Sequence, residues 1–316
     1  MTEDLAPTSI TEAMTFTDGK HTLAGTLHLP ASDVPPSGWP ALVMIAGSGD
    51  SDRDASGWFV PIRDAFLTNG IAVLSWDKPG CGGSSGHWTT QTFSHRATEA
   101  IAGLAWLRAH SHIDAARTGL WGHSQGGWIG PIVAARDPEL RALVVNSGPA
   151  VDVHAQDLFG VEHTMRDAGR SDAEIRRALA ATERLHGAAI AGLSFSQLER
   201  MLPDLHAKDG PLDYFGGLTP AIWHFFCLNA NPVLDPMDVI PLIRCATLAV
   251  YGSDDPLTPP EQSAALFRQA FDRPDAPPLT IRIYPHAGHR IETKGPGTYA
   301  DGYLADLGTW MADALR

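Results

Sequence analysis

A serine stands at the centre of Gly122-His123-Ser124-Gln125-Gly126, which matches the pattern Gly-x-Ser-x-Gly. This pattern places the serine in a sharp turn between a strand and a helix. Glycine suits the two outer positions because a larger side chain there would collide with neighbouring backbone. The hydroxyl then projects from the C-terminal end of the strand, where open α/β sheets bind ligands. The free N–H groups of the helix suit an oxyanion, so the pattern predicts nucleophilic catalysis at Ser124.

The same pattern occurs a second time in residues 82–86, with Ser84 at its centre. Ser84 lies in a glycine-rich loop, with no strand directly before it and no helix directly after it. Ser124 follows an apolar strand and opens the helix-like segment 125–136. The context favours Ser124 as the nucleophile.

A serine hydroxyl is a poor nucleophile until a base removes its proton, and that base needs an orienting acid. Asp254 and Asp255 follow one later apolar strand, and His286 and His289 follow the next. Loops at the same edge of one sheet can converge on one point. We therefore expect one aspartate and one histidine to meet Ser124, although spacing alone does not choose within either pair.

The elements that must position these residues follow a regular order. A hairpin is predicted over 13–29, with an Asp18-Gly19 turn. Short apolar strands then alternate with helical patterns. The strands are 41–46, 71–76, 118–121, 142–146, 245–251 and 279–284, and the helices are 59–69, 92–110, 125–136, 260–271 and 303–315. This order predicts an α/β fold whose mostly parallel sheet carries helices on both faces.

The alternation stops over 149–241, where no strand pattern occurs and residues 171–187 and 194–207 look helical. We predict a core domain made of 1–148 and 242–316, with 149–241 as a helical cap over the site. A second independent domain is the alternative. The aromatic cluster 223–226 is expected to pack in the cap core rather than to form a substrate wall.

These segments together resemble the α/β-hydrolase superfamily. More narrowly, they resemble bacterial cap-bearing esterases and the hydrolases related to dipeptidyl aminopeptidase and acylaminoacyl peptidase. The matching segments, in family order, are 23–30, 46–54, 77–84, 122–128, 252–255 and 288–289. The family's acid loop reads Gly-x-x-Asp, which selects Asp255, and its histidine follows glycine, which selects His289. The resemblance thus implies a catalytic triad of Ser124, Asp255 and His289.

The resemblance also implies an oxyanion hole made by the backbone N–H groups of Ser48 and Gln125, with Gly49 as a competitor for the first. Two positions depart from the family. Ala46 stands where many relatives have histidine, and Pro79 stands where relatives commonly have arginine.

The resemblance implies a serine esterase that cleaves a carboxylic ester of a small molecule through an acyl-enzyme, without a metal or organic cofactor. A peptidase or amidase, or an acyltransferase or cyclase, could use the same triad. A non-catalytic ligand-binding protein is the alternative from another class. Such proteins usually lose a triad member, whereas all three candidates are present.

Composition excludes several classes. The chain has 316 residues, 44% hydrophobic, with a net charge of −13 and no basic run, which argues against nucleic-acid binding. No apolar run approaches the about 20 residues of a membrane helix. Residues 1–17 do not read as a signal peptide, so a cytoplasmic protein is expected.

Two weaker signals concern metals and thiols. Cys81, Cys227 and Cys245 are widely spaced and are expected to be reduced thiols rather than disulfides or zinc ligands. The acidic run 50–54 is similar to a calcium loop but lacks its glycine and closing glutamate. We expect Asp52 and Arg53 to brace this loop instead.

Overall fold

The computed structural model describes residues 9–208, 210–215, 217–230 and 235–316. The strands are β1 (Ser9–Thr17), β2 (Thr22–Pro30), β3 (Trp39–Ile45), β4 (Ala72–Trp76), β5 (Ile113–His123), β6 (Ala142–Asn146), β7 (Ala246–Gly252) and β8 (Leu279–Tyr284). They form one sheet in the order β1-β2-β4-β3-β5-β6-β7-β8. β2 pairs with β1 and with β4 in antiparallel orientation. All other pairs, which join the strands β3 to β8, are parallel.

Helices cover both faces of this sheet. They are α1 (Phe59–Thr68), α2 (Phe93–Arg108), α3 (Gln125–Arg136), α4 (Val153–Asp167), α5 (Asp172–Ile190), α6 (Phe195–Met201), α7 (Pro220–Ala230), α8 (Pro260–Phe271) and α9 (Tyr303–Ala314). Apolar residues of α2, α3 and α8 pack on one face, and those of α1 and α9 pack on the other. The predicted α/β-hydrolase fold is confirmed.

Some predicted boundaries were wrong. Strand β1 begins at Ser9 rather than at residue 13, because its pairing with β2 continues as far as Pro30. The loop of the predicted hairpin spans residues 18–21, and the Asp18 carboxylate stabilises it by accepting hydrogen bonds from the N–H groups of Lys20 and His21. Helix α6 ends at Met201, before 207, since the proline at 203 disfavours helical backbone in the residue before it.

Helix α4 was not predicted from the sequence. Its apolar positions are diluted by polar residues, and few of its side chains are fully buried. Asp152 begins the helix by accepting a hydrogen bond from the N–H of Ala155 at 2.7 Å.

The described chain between β6 and β7 is helical and has an apolar cluster of its own, formed mainly by α5, α6 and α7. Trp223 is buried in that cluster, and its ring stacks on Phe226 with centroids 5.7 Å apart. The predicted packing role is confirmed for Trp223 and Phe226, whereas Phe225 packs against Trp88 with ring centroids 5.3 Å apart. The division into a core domain and a cap stays a prediction.

Among the described residues, none of the helices combines the length and the apolar character that spanning a membrane requires.

Candidate active site

Ser124 lies in the turn between β5 and α3, with backbone angles φ 54° and ψ −114°. Such a conformation is strained for a residue with a side chain, and strain of this kind is concentrated at functional sites. A Cβ atom on Gly122 would lie 2.3 Å from the carbonyl oxygen of Gly126. A Cβ atom on Gly126 would lie 2.6 Å from the carbonyl oxygen of Ile45. Both glycines are therefore required for the turn that exposes Ser124.

The structure brings Asp255 and His289 together. The Nδ1 atom of His289 lies 2.8 Å from Oδ2 of Asp255. The other carboxylate oxygen accepts hydrogen bonds from the N–H groups of Leu257 at 2.8 Å and Thr258 at 3.0 Å. These contacts fix the buried carboxylate so that one oxygen is aimed at the imidazole ring.

The competing pair of residues lies elsewhere. The side chains of His286 and Asp254 are 87% and 61% exposed, and their closest charged atoms are 3.7 Å apart. Both point into solvent at the edge of the sheet. The choice of Asp255 and His289, which the sequence made only through a family resemblance, matches the geometry.

Ser48, Ser124 and His289 line one cavity of about 710 Å³. Its walls come from the loop between β3 and α1 and from the loop that follows β8. Leu257 of the acid loop completes the lining. None of the described residues within 149–241 lines this cavity. The space next to the candidate nucleophile is thus bounded by the same loops that carry the other candidate residues.

The loop after β3 is held from below by Lys78. Its Nζ donates hydrogen bonds to the carbonyl oxygen of Gly47 and, at 2.6 Å, to that of Gly49. Burial lowers the pKa of Lys78 well below its ordinary value. In a trans peptide the N–H points away from the preceding carbonyl. Fixing the Gly47 carbonyl towards Lys78 therefore turns the Ser48 N–H to the opposite side of the loop.

Lys78 was not identified from the sequence as a residue that supports the site. The only available signal was indirect: the position after it holds Pro79, where relatives commonly have an arginine. The structure shows that the basic side chain of Lys78, one residue earlier in the chain, supports the loop.

Gln125 is the first residue of α3, and its side chain is buried. N–H groups in the first turn of a helix have no partner within the helix. The Gln125 N–H therefore belongs to the free N-terminal group of donors directly after Ser124.

A second set of contacts braces the loop between β3 and α1. Arg53 donates to the Asp77 carboxylate at 2.6 Å and 3.1 Å, and the Gly83 N–H donates to it at 2.8 Å. Burial alone would raise the pKa of Asp77, but these hydrogen bonds hold it below its ordinary value. Asp52 accepts hydrogen bonds from two following N–H groups in the turn. The predicted bracing roles of Asp52 and Arg53 are confirmed.

Ser84, the centre of the second Gly-x-Ser-x-Gly match, has a structural role. Its buried hydroxyl donates to the Asp77 carbonyl oxygen at 2.6 Å and accepts from the Ala24 N–H at 2.9 Å. With both bonds made inside the protein, Ser84 lacks the exposure of a nucleophile. The preference for Ser124 over Ser84 matches this geometry.

His123, directly before Ser124, was also missed as a site residue. Its ring centroid lies 4.9 Å from that of His289, and it lines the same cavity.

The part of the chain that the structure describes contains no group of three or more side chains arranged to bind a metal ion.

Comparison with known proteins agrees with this description. Residues 41–293 match the family model described as "Serine aminopeptidase, S33". The chain is 28% identical over 228 residues to a Yersinia enterocolitica protein named "Putative carbamate hydrolase RutD", which covers 71% of this chain and 74% of that protein.

Solved structures show the same fold at low sequence identity. The Pyrococcus furiosus esterase Pf2001 is 15% identical with a TM-score of 0.62, covering 100% of this chain and 94% of that one. The proline iminopeptidase of Mycobacterium smegmatis is 18% identical with a TM-score of 0.61, covering 96% of this chain and 99% of the other. With the family match spanning most of its length, this chain belongs to the serine aminopeptidase S33 family of α/β hydrolases.

Proposed function

We propose that this protein is a serine hydrolase that cleaves a carboxylic ester of a small molecule through an acyl-enzyme on Ser124. The observation that carries the proposal is the strained Ser124 in the same cavity as His289, which the buried Asp255 orients. The cavity volume of about 710 Å³ lies in the range of small-molecule sites.

In the proposed reaction, His289 takes the proton of the Ser124 hydroxyl as the oxygen attacks the acyl carbonyl carbon. Asp255 keeps the Nδ1 proton of His289 in place, so the other ring nitrogen is free to act as the base. His289 then donates the proton to the leaving alcohol oxygen. Water, activated by the same ring, adds to the acyl-enzyme and releases the acid.

The N–H groups of Ser48 and Gln125 are the proposed oxyanion donors. The hydrogen bond from Lys78 to the Gly47 carbonyl supports Ser48, since it turns the Ser48 N–H away from the lysine. The position of Gln125 at the start of α3 supports the second donor.

We also infer that 149–241 forms a cap over this site. In support, the Gln156 side chain on α4 donates to the carbonyl oxygen of Leu257 at 2.9 Å, two residues after Asp255. Asn229 on α7 accepts from the N–H of Phe93 at 2.9 Å, which ties the other end of the segment to α2.

The proposal is tested with a fluorophosphonate probe and p-nitrophenyl esters. Ser124→Ala should lose both covalent labelling and ester hydrolysis while keeping a cooperative unfolding transition. Ser84→Ala is the matched control, because Ser84 sits in the same sequence pattern, and it should still be labelled. Full activity in Ser124→Ala would refute the assignment.

Related family members are named as peptidases, so the leaving group needs its own test. A panel of p-nitrophenyl esters and aminoacyl anilides at equal concentration separates an esterase from a peptidase. Preferred cleavage of the anilides would replace the ester by an amide in this proposal.

A further inference from the structure

His123 is the last residue of β5, directly before the candidate nucleophile. Its ring is buried among aromatic side chains, with centroid distances of 4.4 Å to Trp58 and 4.9 Å to His289. Only 7% of the residue is exposed, and that residue lines the cavity beside Ser124. A polar ring in this position needs hydrogen-bond partners for both nitrogens.

One nitrogen has its partner inside the protein. The hydroxyl of Tyr303 donates to Oδ1 of Asn146 at 2.7 Å, and Nδ2 of the same amide lies 3.2 Å from Nδ1 of His123. Tyr303 is fully buried, and burial raises the pKa of its hydroxyl well above the ordinary value, so it stays protonated. The Asn146 amide thus lies between the Tyr303 hydroxyl and Nδ1 of His123.

Burial, with smaller contributions from His289 and Arg290 that the Asn146 backbone opposes, lowers the pKa of His123 well below its ordinary value. The ring is therefore neutral at neutral pH and carries one proton. In the tautomer with that proton on Nε2, Nδ1 accepts a hydrogen bond from Nδ2 of Asn146.

The second nitrogen is available to a ligand. Within the described chain Nε2 has no hydrogen-bond partner, and the atom is not sealed from solvent. The ring carbon next to it, Cδ2, would lie 3.4 Å from a Cβ on Gly47. Nε2 thus belongs to the edge of the ring that faces the loop carrying Ser48, on the floor of the cavity.

We propose that His123 carries its ring proton on Nε2 and that this N–H donates a hydrogen bond to an oxygen of the reacting ester group, as a third donor beside the N–H groups of Ser48 and Gln125. This inference rests on the proposed function. It makes His123 a substrate-binding residue whose tautomer Asn146 and Tyr303 control.

A purely structural role is the alternative, in which His123 serves only as an acceptor for Asn146. Two substitutions separate the roles. His123→Gln places an amide N–H near the position of Nε2 but removes the acceptor at Nδ1. His123→Asn places an oxygen near the position of Nδ1 but has no donor at the position of Nε2.

Both variants are expected to be less active than the native protein, and the order of their activities distinguishes the two roles of His123. We expect kcat/KM for a p-nitrophenyl ester to be roughly tenfold or more higher in His123→Gln than in His123→Asn, the size of a hydrogen bond to a developing charge. An equal or higher value in His123→Asn would overturn the inference. Thermal unfolding of both variants shows that the compared proteins are folded.

A structure of the native protein with an alkyl boronic acid on Ser124 gives a second test without substitutions. We expect an oxygen of the tetrahedral boronate at roughly 2.7–3.2 Å from Nε2 of His123. An adduct on Ser124 with no oxygen in reach of Nε2 overturns the inference and leaves the proposed function intact. Ser124→Ala with full activity refutes the proposed function itself.

Discussion

The Nζ atom of Lys78 lies 2.6 Å from the carbonyl oxygen of Gly49, although Lys78 is only 1% exposed. Burying an ammonium group is costly unless hydrogen bonds compensate for its lost hydration. Here the compensation comes from two carbonyls of the loop that carries Ser48. The burial of the Lys78 side chain and the conformation of this loop therefore depend on each other.

Replacing the ammonium should release the loop. We expect Lys78→Met to lower kcat for ester hydrolysis by about 10²–10³-fold, the effect of losing one oxyanion donor. The exposed Lys20, in the hairpin loop, provides the control Lys20→Met, which should retain native turnover. Circular dichroism establishes that both variants are folded. Native turnover in a folded Lys78→Met protein would contradict the support that Lys78 gives to Ser48.

The neighbouring aspartates Asp254 and Asp255 allow a matched comparison. In Asp255→Asn the amide can still accept the N–H groups of Leu257 and Thr258, but it turns an N–H towards His289. The ring then has to accept at Nδ1 and carries its proton on the nitrogen that should act as the base. We expect kcat to fall by about 10³–10⁴-fold.

Asp254→Asn replaces an exposed carboxylate that has a long contact to His286 and accepts a hydrogen bond from the Ser253 hydroxyl at 2.6 Å. The amide oxygen can still accept that hydrogen bond, so the activity of this variant should stay close to native. Steady-state kinetics on both variants measures the difference. Equal losses in the two variants would mean that Asp255 does not orient His289.

Two glycines test the steric account of the turn at Ser124. A Cβ on Gly126 would meet the carbonyl oxygen of Ile45 at 2.6 Å, so Gly126→Ala should lower the free energy of unfolding by about 1–3 kcal/mol or more. A Cβ on Gly187 in α5 meets nothing within 4 Å. Since alanine favours helix, Gly187→Ala should raise the same free energy by about 0.5–1 kcal/mol. Urea denaturation compares the two, and a stabilised Gly126→Ala protein would rule out the clash.

His28 on β2 should make stability depend on pH. Burial, with a contribution from Arg63 that Asp54 opposes, lowers the pKa of His28 to about 4. The unfolded chain has the ordinary value of about 6.5. Between pH 6.5 and pH 4 the unfolded state therefore binds a proton that the folded state does not. The contribution of His28 to the free energy of unfolding is fully present above pH 6.5 and is lost as the pH falls to 4.

We expect this residue to account for about 2 kcal/mol of the loss of unfolding free energy between pH 7 and pH 4, after allowance for solvent screening. His28→Leu should remove that part of the decline. His224→Leu, at an exposed position on α7, should decline like the native protein. Chemical denaturation at both pH values measures the difference, and parallel curves for His28→Leu and the native protein would exclude His28 as the cause.

The residues that the sequence could predict are those whose place follows from a strand and the turn after it. Ser124, Asp255 and His289 each come shortly after a strand of the parallel part of the sheet, and local patterns locate those strands. Lys78 follows β4 and His123 ends β5, but these positions alone do not reveal what the two side chains do. Their roles depend on contacts with Gly47 and Asn146, which lie 31 and 23 positions away in the chain and become neighbours only in the folded sheet.

The difference between α4 and the other helices has a similar cause. A periodic apolar face is visible in a sequence only when a helix buries one continuous stripe. Helix α4 buries mainly Asp157, Gly160 and Val161, of which one has an ionisable side chain. The Asp157 carboxylate pairs with His186 at 2.9 Å, so its burial depends on a partner in another helix.

The cavity beside Ser124 takes most of its walls from the loops after β3 and β8, and none from the described residues of 149–241. The helical segment contacts the lining residue Leu257 through the hydrogen bond from Gln156, so most of the wall can change without it. In a relative with a different helical segment, the access of ligands to the nucleophile would change. The substrate preference would still be set by the loops after β3 and β8. Random substitution confined to these two loops is thus the shorter route to a new substrate.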